Sequence, residues 1–421
     1  MNRVIVIGGG ISGLLTGLAL QREGKKVTVL EKGELGNVVR SYPVEGDSGT
    51  YTVDTGPHIL TRLTSGPLRF LMTSYFTCKP EFVPHGDYYL RMNGMHCRFP
   101  WALKDFLTFD AVPRKERITL IKCIMDGILL PDKSLTVEQF TSRYDLTPHT
   151  RRLVEALCHF LAGVSPREVP ISRFWDSQKY KDGDVNMVKK AVSLLRQSTR
   201  RDQFYPVGGI QSLTNCALAS FTGTIVKEEA IHIDTGEHVV STEDHEYNYD
   251  FLVYSGMVRD LPKITELPPQ YEATVSQLQT TTALAVWVGT PDTIITRAGS
   301  EIWVDTDPPC WVVPTSVYDP GLSPEGHQLL GFAFPYEDNI EKRALHVIEE
   351  TLPDLSIDMI HTQVLQPDKA AWTTVPFPSV KSPIPDLYVV GTDTVKKSMG
   401  ITRASYSVMD LLHSLRGEAL L

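Results

Sequence analysis

This sequence predicts an α/β fold in two domains. One is a parallel-sheet domain assembled from separated stretches of chain. The other is α+β, with a mixed sheet and a helical insert. Three observations carry the prediction. The chain opens on a strand, a glycine turn, a helix and a second strand within residues 3–32. It closes on another strand, glycine turn and helix start, "YVVGTDTVKKSMGITRASYSV". Between these ends lie helical periodicity in one long stretch and β-branched, aromatic runs in another. At 421 residues the chain is longer than a single ordinary core serves, so two domains are the default.

The opening unit reads "RVIVIGGGISGLLTGLALQREGKKVTVLEK". Its first run is β-branched and uninterrupted, as a parallel strand buried on both faces requires. Gly8, Gly10 and Gly13 then give G-x-G-x-x-G. The first permits the tight turn, the second lets backbone amides near Ile11 and Ser12 approach a pyrophosphate, and the third lets the helix pack on the strand. Gly24 stops the helix. Glu31, with Lys32 beside it, ends the second strand, where an acid accepts from ribose hydroxyls. Strand, turn, helix and terminal acid together predict a Rossmann-type βαβ unit. An acid at position 31 disfavours a 2′-phosphate, and hence NADP. This unit alone does not separate NAD from the ADP half of FAD.

Bulk properties narrow the function. The net charge of −9 argues against nucleic-acid binding by bulk electrostatics. Six scattered cysteines without a C-x-x-C pair or metal-ligand spacing predict reduced thiols and no metal. The first strand starts at Arg3 and no run of eighteen apolar residues exists, so neither a leader nor a membrane span is expected. The expected location is cytoplasmic, with peripheral contact to a membrane left open.

Beyond the opening unit, the sequence resembles a known family. "GELGNVVRSYPVEGDSGTYTVDTGPHIL" places Arg40-Ser41 after the second strand, then Asp54, Gly56 and His58. This looks like the second signature of the FAD-dependent amine oxidase, protoporphyrinogen oxidase and phytoene desaturase superfamily, an Arg-Ser pair followed by D-x-G-x-H. The resemblance implies that Arg40, with Ser41, reaches FAD phosphates and that Gly56-Pro57 lies against the flavin. The usual adjacent glycine pair is replaced by Leu35-Gly36-Asn37, so the loop differs locally. "FYPVGGIQSLTNCALASF" resembles the family's P-x-G-G-x-x-x-L element, and "GTIVKEEAIHID" its adenine-contacting strand, which falls near Ala230. The closing stretch resembles the final family motif. By that resemblance Gly391 and Asp393 hold the ribitol or pyrophosphate region, and the Gly400-Ile401 amides face the flavin's pyrimidine edge. Four segments in family order imply FAD rather than NAD.

The matches imply a discontinuous FAD-binding domain of residues 1–65, 205–257 and 380–421, and a substrate domain of 66–204 and 258–379 with a helical insert at about 100–165. "TALAVWVGT", "CWVVPTSVY" and "LLGFAFPY" read as strands of the latter. "RKERITLIKCIMDGILL" reads as a helix with an apolar stripe of Ile118, Ile121, Ile124, Met125, Ile128 and Leu129, packing on the substrate domain or lying at a membrane surface.

The predicted function is hydride transfer between flavin and a largely hydrophobic small molecule, porphyrinogen-like or polyene-like. Phe99-Pro100-Trp101 is expected at the entrance, with aromatics of the second insert (Trp303, Trp311, Phe332, Phe334, Tyr336 and Trp372) in its strands. Flavin carries the chemistry, so no nucleophile is required, and His58 is the one candidate for proton transfer. The resemblance leaves three alternatives: an amine oxidase, a non-redox flavoprotein like the galactopyranose mutases, or a lipid-binding relative like the Rab GDP dissociation inhibitors. Substrate, electron partner, reaction direction and oligomeric state are not read from the sequence.

Overall fold

In a computed structural model, residues 2–56, 58–101, 103–129, 135–176 and 202–421 are described. Five parallel strands form the central sheet, in the order Thr224–Val226, Lys26–Leu30, Arg3–Ile7, Phe251–Tyr254, Leu387–Val389. Val6 lies opposite Val29 and Val253, and Val253 opposite Tyr388. One sheet thus joins residues nearly 400 positions apart in sequence. Successive side chains of a strand point to opposite faces. Val4 and Val6 enter one core with the helices Ile11–Arg22, Pro67–Tyr75 and Gly400–Gly417. Ile5 and Ile7 enter another, covered by a three-stranded antiparallel sheet of His232–Asp234, Val239–Ser241 and Glu246–Asn248. Both faces are covered, which is why the first strand is apolar from Val4 to Ile7.

The second large sheet has seven strands, ordered Met359–Ala370, Thr280–Thr290, Gln328–Pro335, Cys310–Pro314, Gly299–Trp303, Asp87–Met92, Met95–Arg98. The helix Ile340–Thr351 packs on one side of it, over Trp303 and Phe332. The hairpin Asp87–Met92/Met95–Arg98 comes from the first insert and extends this sheet through a parallel pairing to Gly299–Trp303. "PTSVY" turns into the short helix Thr315–Tyr318 instead of continuing its strand.

Helices Leu103–Leu107, Arg114–Leu129, Val137–Thr141 and Pro148–Ala162 come after the hairpin. The expected stripe on Arg114–Leu129 is corrected in part: Ile124 and Met125 pack against the core that holds Cys123, and Leu120 is buried as well, whereas Ile118 is 68% exposed. The side chains of Ile128 and Leu129 lie outside the described residues. The expectation of six reduced thiols is also corrected. Cys78 and Cys216 form a disulfide, because the helix Gln211–Ser220 folds back beside the loop after Pro67–Tyr75. No described helix is long and apolar enough to cross a membrane, and no described cluster of His, Cys, Asp or Glu has metal-binding spacing.

Candidate functional site

The three glycines of the first turn do different work. Gly8 has φ of +103°, and its N–H donates to the Leu30 carbonyl at 2.8 Å. A Cβ on Gly13 would sit 1.9 Å from the Gly8 carbonyl oxygen, so only glycine lets the helix start this close to the strand. A Cβ on Gly10 would meet nothing nearer than Asn37 at 3.8 Å: the space above it is open. Gly10 precedes helix Ile11–Arg22 with no side-chain cap, leaving the first N–H groups for an anion. Glu31 arches back over the turn, accepting from Gly9 N–H at 2.5 Å and Gly33 N–H at 2.7 Å.

A second cluster locks the motifs to one another. Asp54 is fully buried and accepts from Ser41 Oγ at 2.6 Å, Tyr205 Oη at 2.7 Å and Ile210 N–H at 3.0 Å. Ser41 Oγ accepts in turn from Gln211 N–H at 3.0 Å. A Cβ on Gly209 would lie 2.5 Å from Ser41 Oγ, so the glycine pair lets this clamp close. Burial pushes the Asp54 carboxyl above its ordinary range, against the opposing effects of His58 and these donors.

At the other end of the chain, Gly391 has φ of +152° and donates its N–H to Ser407 Oγ at 3.0 Å. The turn buries Asp393 completely. Its Oδ2 accepts from Val258 N–H at 2.5 Å, whereas Oδ1 has no partner among the described residues. Burial raises its carboxyl to about 6. Gly400, with φ of +48°, begins the helix Gly400–Gly417, again without a side-chain cap. Behind the turn, the guanidinium of Arg403, 1% exposed, donates to the Thr392 and Ala370 carbonyls at 2.9 Å.

Both turns open on one cavity of 1560 Å³. Gly10, Ile11 and Ser12 line it, as do His58, Gly391, Asp393, Gly400 and Ile401. Residues that the motif reading passed over line it too, among them Asn37, Arg62, Ser255 and Thr392. Arg62 donates to Tyr406 Oη at 3.2 Å. The cavity continues into the second sheet and helical insert, past Phe99, Pro100, Trp101, Leu120, Phe160 and Trp311. Tyr88 and Phe160 carried no motif, and only folding brings them here. Glu31 and Arg40 line an adjoining cavity of 290 Å³, joined by Lys227 and Ile225.

The other expected site residues are placed elsewhere. Gly8 and Gly13 lie beneath the turn, and Ser41 lies in the Asp54 clamp. Gly56 packs on Leu365, to which a Cβ would come within 2.6 Å. Lys32 is exposed and pairs with Glu229 at 2.7 Å. Ala230 packs with Ile5, Ile7 and Leu30 in the core and lines neither cavity. Pro57 lies outside the described residues. Among the aromatics of the second insert, Trp311 and Phe334 reach the cavity, Trp303 and Phe332 are core, and Tyr336 is 44% exposed.

Comparison with known proteins fits this geometry. Residues 6–74 match the family of NAD(P)-binding Rossmann-like domains. An uncharacterized protein in the nifH2 3′ region of Methanothermococcus thermolithotrophicus is 42% identical over 106 residues, which is 25% of this chain and 99% of that protein. An oxidoreductase from Methanosarcina mazei superposes with a TM-score of 0.78 at 16% identity, over 98% of this chain and 100% of its own. Reduced UDP-galactopyranose mutase gives 0.74 at 13%, over 100% and 95%. Cyclohexylamine oxidase from Brevibacterium oxydans gives 0.69 at 14%, over 99% and 99%. At these identities the last three establish a shared fold.

Proposed function

This chain belongs to one family with the short Methanothermococcus thermolithotrophicus protein, and we propose that it is a FAD-dependent oxidoreductase acting on a largely hydrophobic small molecule. The observation that carries the proposal is the convergence of two uncapped helix N-termini, at Gly10 and Gly400, on one cavity whose wall holds the orphaned Asp393 Oδ1. A nicotinamide dinucleotide needs only the first turn. A ligand filling both must be long, anionic in its middle and polar at its far end. FAD fits the residues present. The open space above Gly10 accepts a pyrophosphate, Arg40 and Glu31 flank the adjoining cavity for the adenosine half, and Asp393 Oδ1 needs a hydroxyl donor.

When bound, flavin supplies two-electron redox chemistry. The chain's own groups position and screen it. The Gly400 helix N-terminus favours negative charge developing nearby. His58, at the cavity wall, is assigned the proton that accompanies electron transfer. The volume of 1560 Å³ exceeds that of an ordinary small-molecule site, leaving room for a substrate beside the cofactor. Its aliphatic and aromatic remainder supports an apolar substrate, porphyrinogen-like or polyene-like.

The amine oxidase and mutase with this fold make amine oxidation and redox-neutral sugar chemistry the competing outcomes. Anaerobic photoreduction of the purified yellow protein, followed by candidate porphyrinogens, polyenes, quinones, amines and sugar nucleotides, separates them. Reoxidation or rereduction by an apolar unsaturated compound supports the proposal. Turnover of only amines or sugar nucleotides overturns it.

A further inference from the structure

The part of the large cavity built by the hairpin, the second sheet and the insert helices is lined by a chain of rings. Phe99 meets Trp101 at 4.6 Å between centroids, Trp101 meets Tyr88 at 5.6 Å, Tyr88 meets Phe160 at 5.4 Å, and Phe160 meets Trp311 at 5.4 Å. All four contacts are edge-to-face, with interplanar angles of 61° to 68°. All five residues line the cavity. They come from a strand, the segment after its hairpin partner, a helix and another strand, so apart from Phe99 and Trp101, two residues apart, the rings are brought together by the fold.

Tyr88 is the middle ring and is 5% exposed. His85 packs on it at 4.8 Å, but the His85 Nε2 is engaged with Ser300 Oγ at 2.5 Å. The Tyr88 ring is therefore held on three sides, while its hydroxyl makes no hydrogen bond to a described residue and is open to the cavity that Tyr88 lines. Burial pushes its pKa far up, which keeps the phenol neutral and its proton in place. A neutral O–H open to the cavity donates to water there until a bound molecule brings an acceptor of its own.

We propose, building on the flavin reading above, that the substrate of this chamber is a flat, conjugated, largely apolar molecule carrying an oxygen that accepts from the Tyr88 hydroxyl. Conjugated carbonyl compounds, quinones and enones alike, have that chemistry. Ring edges and faces pack on a planar π-system more favourably than buried area alone accounts for, and a carbonyl lying in the ring plane presents its acceptor at the molecule's edge. Tyr88 is then a substrate-positioning residue, and Phe160 a packing wall.

The test uses menadione and methylnaphthalene, which share a ring skeleton and differ in the carbonyl oxygens. Each is titrated calorimetrically into the protein with flavin oxidised, and flavin content is read separately from the visible spectrum. Menadione is expected to bind more tightly than the hydrocarbon. Tyr88→Phe, which keeps the ring contacts, is expected to weaken menadione roughly fivefold, to leave methylnaphthalene unchanged and to retain full flavin. Phe160→Ala is expected to weaken both probes. Equal binding of menadione to Tyr88→Phe and the wild type, or binding of neither probe, overturns the inference. The same probe pattern in protein that carries no flavin as purified and takes up no FAD supports the assignment of the chamber while overturning the flavin reading.

Discussion

Asp393 illustrates how a single buried group ties stability to ligand binding. Its carboxyl titrates near 6 in the folded chain, above an ordinary value of 3.8, because burial disfavours the charge. The folded state therefore holds this proton more tightly than the unfolded state. The group's favourable contribution is complete below about pH 4 and is lost as pH rises through about 6. In apo-protein, wild type should lose about 1 kcal/mol more than Asp393→Asn between pH 5 and pH 7, measured by urea unfolding. An equal loss in both would remove Asp393 as the source. The glycines separate space from strain at the same scale. Gly10→Asp projects into open space, so the apo-protein should keep its melting temperature while flavin uptake is abolished. Gly13→Ala drives a Cβ to 1.9 Å from the Gly8 carbonyl, and it should lower stability by roughly 1–3 kcal/mol even without ligand. These glycine positions were legible because backbone geometry leaves few other reasons for that spacing. The side-chain directions of Lys32 and Ala230 were not. Lys32 points to solvent and Glu229, and Ala230 into the core, and a motif's register does not say which way the next side chain turns.

Elements show where local pattern stops being informative. The strand run at 4–7 was legible from unbroken apolar residues, which both covered faces require. The hairpin of residues 87–98 lies ahead of the expected helical insert and was not foreseen as part of the second sheet. Its pairing with Gly299–Trp303 spans some 210 residues and leaves no local trace. The stripe on Arg114–Leu129 held at Ile124 and Met125, which pack on the core around Cys123, and missed at Ile118, which turns to solvent. Cys78 and Cys216 lie 138 residues apart, and no spacing rule pairs them. Closing so long a loop constrains the unfolded chain, so Cys216→Ser should cost roughly 2–5 kcal/mol, read from denaturant midpoints under non-reducing conditions. A midpoint that does not move, with or without reductant, would show the bond to be absent in solution.

For the whole molecule, the central sheet explains why the chain carries similar turns at both ends. Arg3–Ile7 and Leu387–Val389 flank the same strand, Phe251–Tyr254, so both turns emerge at one edge of one parallel sheet. Ligands of open α/β sheets bind at the carboxyl ends of the strands, and both turns lie there. The second sheet and its helices close the other side of the same cavity. The resemblance in sequence pointed to this arrangement through four short motifs. The aromatic wall, the Asp54 clamp and the partnerless Asp393 oxygen depend on residues that only the folded chain brings together. A fold shared with an oxidoreductase, a mutase and an amine oxidase does not select among their chemistries, so the cofactor is the claim on which the rest depends. Its most direct test is to denature purified protein and identify the released chromophore by chromatography against FAD, FMN and NAD standards. The account predicts close to one FAD per chain, recovered on reconstitution of apo-protein and absent from Gly10→Asp. Release of NAD, or a colourless chain that takes up no FAD, would contradict it.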